Sequence, residues 1–487
     1  MNRRSSMGEE KKNRENVILY PSPGFGHLLP MVELARVLIG RYQDLLNVTI
    51  LVLSLPFDTG STESFVSSVI AANPLISFHF LPPVDLSHLH NPRFDDSFFG
   101  IIELSKLNVL SFLSSLRPTP LALVVDFFCT HSADIATQLG FPSYIFFTCC
   151  ASVLVTFLHF PKTIHNTTRS LKDMGKTSLI HFPGIVPIPV DHIPIPWTDR
   201  EDRVYKTFLK ISARMAEVDG ILINTFDSLE SKSIQSLPAT GAFARTIYPV
   251  GPLIMSERGK DKGGDDHYFE WLDMQPTGSV VFLCFGTMGT FSPDQLKEIA
   301  TGLERSKQRF LWVVKNPPHL SDTKKESTTH LLADPSLDLL FPDGFLERTK
   351  DKGLVVKSWV RQVAVLRHEA IGCFVTHLGW NSVLEAICAG VRMIGWPLYA
   401  EQRLNKLFVV DEMKLAIAME GYNKELVTAA EVERTVGKMM MMEKSEAVDG
   451  VKERCSAMKL AAESTLGDGG DSMLALDELV RTWGIQK

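Results

Sequence analysis

The feature that most constrains the fold is a repeated alternation of short apolar runs with longer segments of helical spacing. Runs rich in Val, Ile, Leu and Phe recur along the chain, and apolar residues at intervals of three and four follow them. This alternation is typical of parallel sheets with helices on both faces. The runs lie at residues 17–20, 48–54, 77–81, 121–126, 143–147 and 220–224 in the first half, and at 280–285, 310–314, 353–356, 372–376 and 392–396 in the second.

The length of the chain sets the expected number of domains. A chain of 487 residues exceeds what one hydrophobic core usually serves. We therefore predict an α/β protein of two tandem doubly wound, Rossmann-like domains, with the cleft between them as the working site. The predicted parts are a disordered leader at 1–14, an N-terminal domain at 15–251, a linker at 252–270, a second domain at 271–465, and a C-terminal helix at 466–487 that packs back on the N-terminal domain. The polar stretch 316–335 is predicted to be a surface loop.

Charge and composition exclude several classes of partner. A formal net charge of −6 and a pI near 6.2 offer no basic surface, so no nucleic-acid partner is expected. The charged N-terminus lacks the apolar stretch of a signal peptide, and no run reaches the roughly 20 apolar residues that span a bilayer. We therefore expect a cytoplasmic monomer without membrane insertion. Seven cysteines without metal spacing, mostly in apolar runs, favour buried reduced thiols.

Two turns of the second half are candidate anion sites, because open doubly wound sheets bind ligands at the carboxyl ends of their strands. The run 372–376 leads into His377-Leu378-Gly379-Trp380-Asn381-Ser382 and then into a helical segment. N–H groups at a helix N-terminus favour an anion such as a diphosphate, and His377 adds a donor. Asn381 and Ser382 could equally be simple helix caps. Thr287, in the turn Gly286-Thr287-Met288-Gly289 after the run 280–285, is a second candidate phosphate contact.

A long motif surrounds the second of these turns. It consists of Trp359, Gln362, His377-Leu378-Gly379-Trp380-Asn381-Ser382, Glu385, Trp396-Pro397 and Glu401-Gln402. This motif resembles the signature box of plant family 1 UDP-glycosyltransferases, which have the two-domain GT-B fold. The resemblance implies that Trp359 stacks on uracil, that Gln362 and Glu385 hold the ribose hydroxyls, and that His377, Asn381 and Ser382 bind the diphosphate. Each role suits its chemistry: an indole face for a base, a carboxylate for hydroxyls, and donors for an anion.

The resemblance also implies the sugar. Trp380, Glu401, Gln402 and Thr148 match positions that contact it, and the Trp380 with Gln402 combination is similar to members that use UDP-glucose. Galactose users tend to end the box in His, and glucuronate users tend to carry Arg in place of Trp380. Five positions depart from the usual pattern: Val360-Arg361 replaces Ala-Pro, Leu378 replaces Cys, Arg392 replaces Pro, and Thr287 replaces Ser. The contact expected beside Trp359 comes from the backbone of Val360, so Arg361 and Arg392 bear on donor affinity more than on donor identity.

A candidate catalytic pair follows two strands of the first half. His27 ends the turn Pro21-Ser22-Pro23-Gly24-Phe25-Gly26, and Asp126 ends the run 121–126. A lone histidine in such a turn is more often structural, but a carboxylate that ends an apolar run seldom lacks a partner. Parallel strands would bring both side chains to one sheet edge. We hypothesise that Asp126 orients His27, which removes the proton of an acceptor hydroxyl so that its oxygen attacks the anomeric carbon with inversion. The family that the chain resembles uses this pair.

Neither a metal nor a cofactor is expected, and UDP-glucose is treated as a co-substrate. The chain has no Asp-x-Asp motif for a divalent cation, so fixed donors would neutralise the leaving diphosphate. The acceptor is expected to be a small phenolic of flavonoid or chalcone type, since the chain is similar to family members that act on such compounds. Aromatic side chains of the first domain would line its pocket, although most aromatic residues belong to cores. The candidate lining residues are Gly24, Phe127, Phe128, Phe147, Trp197 and Tyr399.

Two other functions fit the same fold class. A nicotinamide-dependent oxidoreductase would share the sheets, but Gly24-x-Gly26 and Gly286-x-x-Gly289 lack the full Gly-x-Gly-x-x-Gly spacing and its acidic ribose partner. A noncatalytic binder of sugar nucleotides or phenolics fits only if His27 and Asp126 do not meet. Release of UDP from UDP-glucose in the presence of a phenol distinguishes the transferase from both alternatives.

Overall fold

The computed structural model describes residues 14–53, 61–87, 93–164, 169–239, 243, 245–255, 266–317, 337–357, 359–440 and 446–485. The predicted leader, the middle of the predicted linker and nearly all of the predicted surface loop at 316–335 lie outside these ranges. Backbone contacts divide the chain into two units. The first unit comprises residues 1–146 and 477–487, and the second comprises residues 147–476.

The first unit contains a parallel sheet with the strand order β3-β2-β1-β4-β5. Each strand coincides with a predicted apolar run to within one or two residues. Residues of β4 are buried throughout, as expected for a strand with helices on both faces of its sheet. The strands are β1 (Glu15–Tyr20), β2 (Leu46–Leu53), β3 (Ile76–Leu81), β4 (Ala122–Asp126) and β5 (Ser143–Phe147), and the helices are α1 (Phe25–Tyr42), α2 (Ser61–Ala72), α3 (Phe94–Leu104), α4 (Lys106–Ser115) and α5 (Ala133–Leu139).

The helical stretch Phe94–Ser115 is apolar for a surface element. By length and composition alone it could cross a membrane, and 28% of it is buried. No other helix among the described residues meets both criteria. No such segment was predicted from the sequence, because Asp95, Asp96, Glu103 and Lys106 interrupt the apolar residues.

The second unit contains a six-stranded parallel sheet with the order β12-β11-β10-β13-β14-β15. Five of its strands were predicted, whereas β15 is too short to stand out in the sequence. Strands β8 and β9 pair in parallel, and β6 and β7 form a short antiparallel pair. The strands are β6 (Leu179–Ile180), β7 (Ile188–Pro189), β8 (Gly220–Ile223), β9 (Thr246–Pro249), β10 (Val280–Cys284), β11 (Arg309–Val314), β12 (Gly353–Lys357), β13 (Ile371–Thr376), β14 (Arg392–Gly395) and β15 (Ala416–Ala418).

Helices cover this sheet, and apolar residues of both layers form a continuous core that includes Leu283, Trp312, Val375 and Ile394. The helices of the second unit are α6 (Ala151–Thr163), α7 (Arg203–Met215), α8 (Asp227–Ala239), α9 (His267–Asp273), α10 (Pro293–Ser306), α11 (Leu337–Leu340), α12 (Phe345–Thr349), α13 (Gln362–Arg367), α14 (Trp380–Ala389), α15 (Gln402–Lys406), α16 (Ala429–Met440) and α17 (Glu446–Thr465). The seven cysteines form no disulfide, and all but Cys388 are fully buried, as expected for reduced thiols.

The predicted linker does not begin as a detached segment. The side chain of Asn224 accepts from the N–H of Leu253 at 2.7 Å, and the N–H of Gly251 donates to Thr225 at 2.8 Å. The hydroxyl of Ser472 also donates to the carbonyl of Gly251 at 2.6 Å. These bonds connect residues 251–253 to the residues that follow β8 and to the first turn of the last helix.

The last helix, α18 (Asp471–Thr482), supplies side chains to the first unit. Arg41 of α1 donates its Nε–H to Asp477 at 2.6 Å, and the hydroxyls of Tyr144 and Thr482 lie 2.9 Å apart. The ring of Trp483 contacts that of Tyr144 edge-on. The C-terminal residues therefore cover α1 and β5.

Both sheets reverse their strand order beside the strand that comes first within them. In the first unit the reversal lies between β1 and β4, and in the second between β10 and β13. Ligands of doubly wound sheets bind at such switch points, outside the carboxyl ends of the strands. The candidate residues His27 and Asp126 follow or end β1 and β4, and Thr287 and His377 follow β10 and β13.

Candidate active site

The switch point of the first unit brings His27 and Asp126 into contact. His27 lies in the first turn of α1, which begins directly after Gly24, a residue with φ of 103° that few side chains would tolerate. Asp126 is the last residue of β4, whose register places Val125 beside Tyr20. The resulting distance between Nδ1 of His27 and Oδ2 of Asp126 is 2.8 Å. The contact expected from the sequence is therefore present.

Burial and hydrogen bonds fix the orientation of this pair. The Asp126 side chain is 0% exposed, and its other oxygen accepts the N–H of Phe128 at 3.0 Å. The His27 side chain is 22% exposed, so the ring reaches the surface while its partner does not. A carboxylate acceptor at Nδ1 selects the tautomer with the proton on Nδ1 and the basic lone pair on Nε2. This arrangement suits a general base.

Aromatic rings surround His27. The ring of Phe128 lies 5.4 Å from the imidazole and that of Phe127 lies 5.8 Å from it, both measured between centroids. Phe98 and Phe99 of α3 contact Phe128 edge-on, at 5.3 and 5.6 Å. We call Phe98, Phe99, Phe127 and Phe128 the aromatic cluster. Phe127 and Phe128 were predicted to line the acceptor pocket, whereas sequence reasoning missed Phe98 and Phe99; the spacing Phe94-x-x-x-Phe98-Phe99 on one helix was the available signal.

In the second unit, Trp359 presents an exposed ring at the carboxyl end of β12. Its side chain is 66% exposed, while the next residue, Val360, is 3% exposed. The N–H of Trp359 donates to the carbonyl of Lys357 at 2.8 Å and fixes the start of the segment. An exposed indole with a fixed backbone is suited to stacking on a planar base.

The two arginines that depart from the family pattern are engaged by protein groups. Arg361 pairs with Asp266 at 2.7 Å, and its guanidinium lies 4.8 Å from the centroid of Phe269. Arg392 donates through its guanidinium to the carbonyls of Gly372 and Met439, at 3.0 to 3.2 Å. Both arginine side chains therefore bind to other residues of the second unit.

Gln362, Ser382 and Glu385 form one hydrogen-bonded group. The side-chain N–H of Gln362 donates to Ser382 at 2.9 Å and to Glu385 at 2.5 Å. These bonds link the first turn of α13 to α14. Burial raises the pKa of Glu385 to about 7, although the bond from Gln362 opposes the shift. In its charged form this buried carboxylate is an acceptor for hydrogen bonds, which suits a pair of donor hydroxyls.

His377 lies between two glycines at the switch point of the second unit. A Cβ on Gly286 would lie 2.6 Å from its Nε2, and one on Gly379 would lie 2.5 Å from the same atom. Glycine is therefore required on both sides of the ring. Burial, with a contribution from the nearby charge of Lys315, lowers the pKa of His377 to about 3. The ring is neutral at physiological pH and can donate one hydrogen bond.

Asn381 and Ser382 lie in the first turn of α14, as the sequence predicted. Leu378, just before this helix, has φ of 61°, which a non-glycine residue adopts only when its surroundings fix it. Its N–H donates to the Thr376 hydroxyl at 3.3 Å, and its carbonyl accepts from the side chain of Asn405 at 2.9 Å. These bonds hold the loop that presents the helix N-terminus, where N–H groups favour an anion.

The predicted sugar-binding residues already have partners within the protein. The indole N–H of Trp380 donates to the carbonyl of Asn224 at 2.7 Å, so it is occupied. The side-chain oxygen of Gln402 accepts the N–H groups of Leu398 and Tyr399 at 2.8 and 3.0 Å, and the Gln402 side chain also forms a hydrogen bond with that of Tyr399. Glu401 accepts from Asn405 at 3.3 Å.

Four further predicted contacts of the sugar or acceptor belong to the second unit. Phe147 and Trp197 are 0% and 2% exposed, and both rings contact Phe157, at 5.5 and 4.6 Å. In this structure they belong to the core of the second unit. Thr148 is also buried, whereas Tyr399 is partly exposed and its ring lies 6.1 Å from that of His377. Burial raises the pKa of Tyr399 to about 12, so its hydroxyl keeps its proton.

Among the described residues, no group of three or more His, Cys, Asp or Glu side chains is arranged to hold a metal ion. The polar groups at the second switch point are the neutral His377 ring, the exposed Thr287, the turn after β10 and the N-terminus of α14. They are hydrogen-bond donors aimed at one region of the sheet edge. Such a set can bind phosphate oxygens.

Comparison with known proteins gives consistent matches. The family model described as UDP-glucoronosyl and UDP-glucosyl transferase matches residues 264–448. An anthocyanidin 5,3-O-glucosyltransferase from a Rosa hybrid cultivar is 41% identical over 96% of this chain and 98% of its own length. A phloretin 2'-O-glucosyltransferase from Pyrus communis is 40% identical over 94% of this chain and 97% of its own length.

A solved structure agrees along nearly the whole chain. It is that of Phytolacca americana UGT2 complexed with UDP-2fluoro-glucose and pterostilbene. The TM-score is 0.85 at 34% sequence identity, and the match covers 97% of this chain and 100% of the other. The likeness therefore extends over both units and is not confined to the motif in the second.

Proposed function

Because the chain belongs to the UDP-glucoronosyl and UDP-glucosyl transferase family, we propose that it transfers glucose from UDP-glucose to a hydroxyl group of a small phenolic acceptor. The acceptor class that we propose is flavonoid or chalcone-like, because relatives act on an anthocyanidin and on phloretin. The observation that carries the catalytic assignment is the 2.8 Å contact between His27 Nδ1 and Asp126 Oδ2.

The proposed reaction moves one proton and exchanges one bond at the anomeric carbon. Nε2 of His27 accepts the proton of the acceptor hydroxyl while that oxygen forms a bond to the anomeric carbon. The bond from this carbon to the β-phosphate oxygen breaks, and UDP leaves with the electron pair. Attack opposite the leaving group inverts the configuration. The buried carboxylate of Asp126 stabilises the imidazolium that forms.

We further propose that the second unit binds the donor. The exposed ring of Trp359 would stack on uracil, and Glu385 with Gln362 would accept from and donate to the ribose hydroxyls. The His377 ring, Thr287 and the N-terminus of α14 would bind the diphosphate and stabilise its growing charge without a metal ion, as preorganised donors do. The amide of Gln402, with Glu401, would contact glucose.

The aromatic cluster supports the proposed acceptor class. A flat phenolic ring packs well against aromatic faces and edges, and a few polar groups then orient its hydroxyl. Phe128 contacts both His27 and Phe98, so a ring held by the cluster would lie next to the base. The alternative of a noncatalytic binder requires that His27 and Asp126 do not meet.

The test is a mass-spectrometric screen of UDP-glucose against flavonoids, chalcones, stilbenes and simple phenols. Each phenol is paired with its fully O-methylated form, which keeps the shape and lacks the hydroxyl. We expect products heavier by one hexose, and UDP release, only with the hydroxylated compounds, at rates that EDTA does not change. Binding of UDP-glucose without turnover of any acceptor would favour the noncatalytic alternative.

We also propose that the protein is a cytosolic monomer. A fluorescent fusion in plant cells and light scattering of the purified protein test the two parts. Signal that follows a membrane marker, or a mass near twice 54.3 kDa, would contradict them.

A further inference from the structure

Lys315 is the first residue after β11, and its ammonium lies against the turn that follows β10. Its Nζ donates to the carbonyl of Gly286, and to that of Thr287 at 2.6 Å. The strand register explains this placement: Leu283 lies beside Trp312, so Gly286 and Lys315 lie beside each other three residues further on. Lys315 thus holds two successive carbonyls of the turn.

This contact sets the direction of the next peptide N–H. In a planar trans peptide the C=O and N–H groups point in opposite directions. Because the carbonyl of Gly286 points to Lys315, the N–H of Thr287 points away from it. Among the described residues neither the N–H nor the hydroxyl of Thr287 has a hydrogen-bond partner, and Thr287 is exposed. The turn therefore presents two donors at the sheet edge.

The same turn touches His377. Gly286 has φ of 70°, and its Cα lies so close to the ring that an added Cβ would be 2.6 Å from Nε2. The charge of Lys315 also contributes to the lowered pKa of His377. The Lys315 ammonium, the Gly286-Thr287 turn and the His377 ring therefore contact or influence one another electrostatically, and we call them the lysine group.

The cation of this group, Lys315, has no counter-ion among the described residues. Within the described part of the chain no carboxylate lies within ion-pair distance of Lys315 Nζ, and its only partners are neutral carbonyls. Burial lowers the pKa of the Lys315 ammonium. A partly buried cation of this kind is stabilised by an anionic ligand.

We propose that Lys315 is a positioning residue for the donor diphosphate: it aims the Gly286-Thr287 turn at the phosphates and supplies the positive charge that balances them. This inference rests on the proposed function. It predicts that Lys315 matters for ligands that carry a diphosphate and not for the nucleoside alone. Thr287, Lys315 and His377 all belong to the second unit.

The test compares UDP, UMP and uridine by isothermal titration calorimetry on wild type, Lys315→Met, Lys315→Gln and Lys315→Arg. Lys297→Met, on the exposed side of α10, removes the same charge from the same unit and is the control. We expect Lys315→Met to lower the affinity for UDP by roughly 10- to 100-fold, the range for the loss of a charge-assisted hydrogen bond. Uridine should bind as in wild type, UMP should change little, and Arg should restore most of the UDP affinity.

Lys315→Gln keeps a donor to the carbonyls and loses the charge, so it also serves if the Met variant fails to fold. If the wild-type protein binds UDP no more tightly than uridine, the diphosphate adds nothing to the affinity. That result would overturn the proposed donor, and with it this inference. If the wild-type protein binds UDP tightly and Lys315→Gln and Lys315→Met bind it with the same affinity, only the role of Lys315 would be overturned. An equal loss for UDP and uridine would reduce Lys315 to a structural residue and also overturn the proposal.

Discussion

Nδ1 of His27 lies 2.8 Å from Oδ2 of Asp126, although 99 residues separate them along the chain. Two parallel strands at a sheet switch point bring the two side chains together. The carboxylate is fully buried, which fixes the orientation of its hydrogen bond to His27. It assigns different tasks to the two ring nitrogens. Nδ1 is committed to the carboxylate, and Nε2 carries the basic lone pair.

Asp126→Asn should lower kcat by roughly 10²- to 10⁴-fold, within the range of general base catalysis. The new side-chain oxygen can still accept from Phe128, which leaves the amide N–H groups facing Nδ1 of His27. The ring proton must then move to Nε2, where a base has to accept one. Steady-state kinetics and UDP titration measure both parameters. UDP affinity should be unchanged, and Asp44→Asn, an exposed site of the same unit, should leave kcat unchanged.

A full rate for Asp126→Asn would show that the carboxylate does not select the tautomer. A proportional loss of UDP affinity would instead indicate that the variant disturbs folding beyond the first unit.

The affinity for uridine should rise with pH through about 7, because burial raises the pKa of Glu385 to that value. Ribose hydroxyls donate to the charged carboxylate, so binding favours the deprotonated form and releases a proton below the pKa. The dissociation constant should therefore increase by up to about tenfold per pH unit below 7. Uridine is used because it has no phosphate that titrates in this range. Calorimetry in buffers of different ionisation enthalpy measures the proton release.

Glu385→Gln should bind uridine weakly and with no pH dependence between 5.5 and about 8, since the amide does not titrate. The same linkage acts on stability. The pKa in the folded protein lies above that of the unfolded chain, so the unliganded protein should lose stability as the pH rises from about 4.5 through 7. A pH slope that persists in Glu385→Gln would assign it to another group.

Phe98→Ala should raise the KM for a phenolic acceptor by roughly 3- to 10-fold, the worth of one aromatic contact. Phe98 contacts Phe128, which in turn contacts His27, so its loss should loosen the acceptor next to the base. The KM for UDP-glucose should not change. Leu107→Ala, at a position that is 74% exposed, is the matched control. An unchanged acceptor KM would remove Phe98 from the acceptor pocket.

The sheets and the polar residues at their edges could be predicted from the sequence, for a physical reason. Parallel strands covered on both faces must be continuous apolar runs, and His27, Asp126, Thr287 and His377 follow or end such runs. Chain direction alone then places them at the carboxyl edge. The strand β9 was missed because only one of its four residues is buried, and β15 was missed because it has only three residues.

The partners of individual side chains could not be predicted in the same way. Phe98 and Phe99 reach Phe128 only through the packing of α3, and a lone lysine after a strand gives no sign that it will hold the carbonyls of a neighbouring turn. The indole N–H of Trp380 is engaged by Asn224, more than 150 residues earlier in the chain. Such contacts depend on tertiary structure, which residue spacing does not encode.

The most direct test of the central claim is the rate of glucosyl transfer by His27→Ala, measured by product formation beside UDP binding to the same preparation. The account predicts a loss of at least about 10²-fold in kcat with phenolic acceptors, and UDP affinity equal to that of wild type. Transfer at the wild-type rate by His27→Ala with UDP still bound would contradict it, because the base would then be a group other than His27.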